Sequence, residues 1–85
     1  MAIFWIANVE TDTTDNEIME FLCGYGFPRF DTIERLAGTG RSPAVLLGFD
    51  NVGANLLRHL QPRVHAVFWK GRTLTAHVIV QHKES

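Results

Sequence analysis

Two short apolar runs most constrain what this chain can fold into: Phe4-Trp5-Ile6-Ala7-Asn8-Val9 and, some forty positions later, Ala44-Val45-Leu46-Leu47-Gly48-Phe49. Side chains alternate across a strand, so each run presents apolar groups on both faces, with Trp5 on the face opposite Phe4 and Ile6. An aromatic then sits where one face would meet solvent or a partner. If Val45, Leu47 and Phe49 enter the core, Ala44 and Leu46 join Trp5 and Ala7 on the other side.

The segments between these runs read clearly. Thr14-Asp15-Asn16-Glu17 is a capping box, followed by Ile18, Phe21, Leu22 and Tyr25 at helical spacing, and Gly26 is a natural stop. This predicts a helix over about 15–25. Phe30 to Leu36 is expected as a second strand, and Gly38 to Pro43 as the loop leading into the run at 44–49. Asp50 or Asn51 can cap a second helix carrying Val52, Ala54, Leu56, Leu57 and Leu60, which Pro62 is expected to end. Val64–Trp69 and Arg72–Val80 then flank Lys70-Gly71, a two-residue turn suited to a tight hairpin. The order is β-α-β-β-α-β with an extra short strand. That is an α+β, ferredoxin-like arrangement, a four-stranded antiparallel sheet with two helices on one face.

At 85 residues the chain is expected to form one domain, burying roughly 60% of its unfolded surface. No apolar run approaches the roughly 20 residues of a membrane helix, so no membrane partner is expected. The single cysteine, Cys23, cannot pair internally and is expected as a small buried apolar group; with no signal-peptide pattern, a reducing cytoplasm is the expected location. Charge is unevenly placed. Residues 10–20 hold Glu10, Asp12, Asp15, Glu17 and Glu20 and no base, which leaves eight basic against four acidic residues elsewhere. Catalytic and metal constellations are not visible: His59, His65, His77 and His82 lack ligand spacing, and the acidic Glu10-Thr11-Asp12-Thr13 would repel a phosphate where acylphosphatase, an enzyme of this fold class, needs a cradle. The sequence therefore predicts neither an enzyme nor a cofactor.

The run around Trp5 and Asn8 resembles the short amino-terminal motif of the RNA recognition motif family, aliphatic-aromatic-aliphatic-any-Asn-aliphatic. Ile18, Phe21-Leu22 and Tyr25-Gly26 resemble its first helix, and Gly71-Arg72-Thr73-Leu74 its entry into the last strand. The third-strand motif is degenerate, and Leu60–Gly71 is about four residues longer than the family's usual connection, which suggests a longer hairpin beside the sheet edge. The resemblance implies single-stranded RNA or DNA bound on the open sheet face, with bases stacked on aromatics. Trp5 would be the platform and His77 would assist it; Ala44 and Leu46 stand at the places of the two other aromatics. Arg41, Lys70, Arg72 and Lys83 would rim the face and meet phosphates, while Asn8 would either fix its loop or touch a base. The other reading is a protein-interaction module, in which Trp5, Ala7, Ala44 and Leu46 dock a protein partner or a second copy.

Overall fold

The computed structural model describes residues 2–36, 43–50 and 52–79. Its elements are β1 (Ala2–Ala7), α1 (Asp15–Gly24), β2 (Thr32–Leu36), β3 (Ala44–Phe49), α2 (Ala54–Val64), β4 (Phe68–Trp69), β5 (Arg72–Thr73) and β6 (Thr75–Ile79). Four strands form an antiparallel sheet in the order β2-β3-β1-β6, and β4 pairs with β5 as a separate ribbon. The two apolar runs, β1 and β3, are thus the central strands.

Alternation along β1 buries Ala2, Phe4 and Ile6, and the register sets Phe4 opposite Leu47 and Val78 and Ile6 opposite Val45 and Ala76. Against this face pack Ile18 and Leu22 of α1 and Leu57, Leu60 and Val64 of α2, so both helices share one core on one side of the sheet. The Phe4 and Phe27 rings meet at 5.0 Å between centroids. Among the described residues, no helix is long and apolar enough to cross a membrane.

Helix α1 starts as its sequence dictates. The Glu17 backbone N–H donates to Thr14 Oγ1 at 3.1 Å, and the Thr14 backbone N–H donates to Glu17 Oε1 at 2.9 Å. Helix α2 departs from expectation at both ends. Its N-cap is Gly53, without a side-chain cap, while the Asp50 backbone N–H donates to Asp31 Oδ2 at 2.6 Å. It also continues through Pro62 to Val64. The proline ring removes one donor near the helix end, and the extra turn carries Val64 into full burial. Cys23 is exposed, not buried: it follows Leu22 by about 100° around the helix, and Leu22 faces the core.

The last strand is interrupted. Thr73 still belongs to the ribbon, Leu74 is buried, and β6 begins at Thr75. Lys70 and Gly71 both adopt positive φ, 53° and 80°, the geometry of a tight two-residue hairpin turn. The ribbon does not merely lie along the sheet edge. Trp69 stacks on Phe21 of α1 at 4.2 Å and 20°, and Tyr25 meets the edge of Phe21.

Candidate nucleic-acid interface

With Phe4 and Ile6 turned to the helices, Ile3, Trp5 and Ala7 point to the side that no helix covers. Directly opposed residues of antiparallel strands share a face, so the register builds three rungs there. Glu34, Leu46, Trp5 and His77 form the middle rung; Thr32, Gly48, Ile3 and Ile79 lie on one side of it, and Leu36, Ala44, Ala7 and Thr75 on the other. Trp5 is half-buried and His77 exposed. Their rings stack at 5.4 Å with 22° between planes. His65, whose Nδ1 accepts the Ala76 backbone N–H at 3.2 Å, brings a third ring to 5.7 Å from His77 at the β6 edge.

The open face therefore carries one aromatic-imidazole platform flanked by aliphatic groups. Leu46 lies beside the indole as expected. Ala44, on the neighbouring rung, is buried and offers almost no surface to a ligand. Around Gly48, which has no side chain to fill its place, Ile3, Thr32, Glu34 and Leu46 surround a shallow depression of about 240 Å³. The sequence reading overlooked Glu34, Thr32, Ile3 and Ile79. Alternation through Thr32-Ile33-Glu34-Arg35-Leu36 would have found the first two, since Ile33 must face the core.

The expected basic rim is rearranged. Lys70 Nζ donates to Glu17 Oε2 of α1 at 3.0 Å, which places its charge on the helix side of the domain. Arg72 donates through Nε to Glu10 Oε1 and through Nη1 to Asn8 Oδ1, both at 2.9 Å. Neither is an uncommitted phosphate ligand, because an acidic partner already neutralises it. Arg41 and Lys83 lie outside the described residues.

Asn8 is the junction of this end of the sheet. Its φ of 69° turns the chain out of β1, its backbone N–H donates to the Pro43 carbonyl at 2.8 Å, and its Nδ2 donates to the Thr73 carbonyl at 3.0 Å. With Oδ1 accepting from Arg72, the amide joins the β1 exit to the ribbon. Both ends of the side chain are thereby engaged in fixing the loop.

No family model matches the sequence, and neither does any curated protein. Solved structures do. The third RNA recognition motif domain of Pes4 superposes with a TM-score of 0.74 at 18% identity, covering 100% of this chain and 99% of that one. The third such domain of Mip6 gives 0.73 at 12% identity, over 89% and 90%. The chain has the RNA recognition motif fold.

Two further structures superpose on this chain. The RNA recognition motif domain of S. pombe Puf1 matches with a TM-score of 0.61 at 12% identity, over 99% of this chain and 95% of that one. A chain of the Snu17p–Pml1p structure, an intermediate during RES complex assembly, matches at 0.64 and 20% identity, over 98% and 70%. Within the RNA recognition motif frame, Trp5 keeps an aromatic on the first strand, whereas the third strand offers the open face Leu46 and a buried Ala44.

Proposed function

We propose that the protein is a binding module for single-stranded nucleic acid that works through its helix-free sheet face. The stacked pair of Trp5 and His77 carries this reading: a flat, partly exposed π surface on a rigid central strand is what an unpaired base seeks. Leu46 extends the floor on one side, and Arg41 and Lys83 are the candidates for phosphate contact. Asn8 serves by holding the loop at the edge of the face. Ala44, Lys70 and Arg72 have no direct part in the reading.

One base-aromatic stack contributes about 1 to 3 kcal/mol, so binding rests on a small number of contacts and is weak. The test is a titration of short single-stranded oligonucleotides followed by the fluorescence of Trp5 in a Trp69→Phe background. Trp5→Ala, read by chemical-shift perturbation, is expected to weaken binding roughly tenfold to a hundredfold. Unaltered affinity in Trp5→Ala, or no response to oligonucleotide at millimolar concentration, defeats the proposal.

A second reading is a protein-docking module. It is supported by the aliphatic character of Leu46, Ile3 and Ile79 around the platform, and by the likeness to a chain whose structure is one of protein assembly. Here Leu46→Asp should abolish self-association or partner capture. A sedimentation profile and partner list unchanged by that substitution would count against it.

A further inference from the structure

Among the described residues the open face has one carboxylate beside the platform, and its chemistry restricts which base can sit there. Glu34 is exposed on β2, opposite Leu46, which is in turn opposite Trp5. Strands lie about 4.8 Å apart, so Glu34 and Trp5 are separated by roughly 10 Å across Leu46. Among the described residues, no hydrogen bond or ion pair engages its carboxylate. Arg35, its neighbour in sequence, faces the other side and pairs with Asp15 of α1.

A carboxylate at this place repels phosphate, so the group that meets Glu34 must be a hydrogen-bond donor, and on a sheet face that stacks bases the donor at hand is a base edge. An ionised carboxylate only accepts hydrogen bonds, through two oxygens side by side. It is therefore matched best by two adjacent donors. Guanine supplies them, N1–H and the 2-amino group, on its Watson–Crick edge. Cytosine and adenine place an acceptor nitrogen next to their amino group, and uracil sets its single N–H between two carbonyls. Charge assistance strengthens the matched pair and penalises the mismatched ones.

The depression around Gly48 gives the base a seat. Open to solvent and about 240 Å³ in volume, it leaves room for one flat heterocycle between Ile3 and Leu46 with Glu34 and Thr32 at its wall. We infer that Glu34 is a specificity residue that selects guanine in a base site on the open face, next to the base stacked on Trp5. This rests on the single-strand reading above and adds to it the identity of one base.

The probe is a short oligouridine and the same strand with one internal uridine replaced in turn by guanosine, inosine, adenosine or cytidine. Fluorescence anisotropy of labelled strands reads affinity for the wild type and for Glu34→Gln, an exposed position whose folding is checked by circular dichroism. Guanosine should tighten binding about tenfold over oligouridine, and inosine, which lacks the 2-amino donor, should fall between. In Glu34→Gln, whose amide offers one acceptor and one donor, the guanosine gain should vanish or pass to adenosine while oligouridine still binds. Guanosine no tighter than adenosine or cytidine in the wild type, or a guanosine gain that survives Glu34→Gln, overturns the assignment and leaves the general reading standing. Failure of every strand to bind the wild type defeats both together.

Discussion

At the scale of single residues, Glu17 does two jobs with one carboxylate. One oxygen accepts the Thr14 backbone N–H at the start of α1, and the other meets the Lys70 ammonium from the hairpin turn. The Thr14 backbone bond first, and the Lys70 bond after it, hold this carboxyl below the usual carboxylate range. A group whose folded pKa is depressed stabilises the fold fully above its unfolded pKa. That contribution is lost as pH falls through the lowered value. Thermal melts of the wild type taken from neutral pH downward should therefore show a loss that Glu17→Gln does not share over the same window. Parallel pH profiles for the two proteins would contradict this account. Thr14→Ala removes the other half of the box and should cost about 1 kcal/mol at neutral pH, by chemical denaturation.

At the scale of elements, the ribbon of β4 and β5 is attached to the domain by its Trp69 side chain lying on Phe21. Stacked aromatic pairs contribute about 0.5 to 1.5 kcal/mol beyond their buried area. A double-mutant cycle with Phe21→Ala and Trp69→Ala should return a coupling of about 1 kcal/mol in denaturant unfolding; additive effects would mean that the two rings merely share a neighbourhood. How far each element could be read in advance follows from how local its cause is. The strands β1 and β3 and helix α1 were legible because their signals, short continuous apolar runs and a capping box, sit within a few residues. Helix α2 was misjudged at both ends because it starts at the Gly53 cap, three residues beyond Asp50, and because burial of Val64 carries it past Pro62. The open face was half legible. Trp5, Leu46 and His77 follow from alternation and strand order, but the partners of Lys70 and Arg72 lie 53 and 62 positions away, and only the placement of the ribbon decides them.

At the scale of the whole molecule, charge is arranged inward. Three of the basic side chains, Arg35, Lys70 and Arg72, are ion-paired with Asp15, Glu17 and Glu10, all within the acidic segment of residues 10–20. For single strands each phosphate contact adds about −0.7 to the slope of log affinity against log salt. If Arg41 and Lys83 alone meet phosphates, as proposed, the slope should be about −1.4, measured by titration across a salt series. A steeper slope would show that further basic side chains, the ion-paired Arg35, Lys70 and Arg72 or others such as Arg29, turn to the ligand. Glu10→Gln tests the same arrangement from the other direction: it should release Arg72 and steepen the slope by about 0.7.

The platform also has an origin in time. Its indole comes from β1 and its imidazole from β6, more than sixty residues later, and β1 finds its second neighbour only when β6 docks. A nascent or truncated chain ending before Thr75 would leave the central strand with a bare edge and the tryptophan without its companion ring. The paired rings are thus complete only once β6 has joined the sheet.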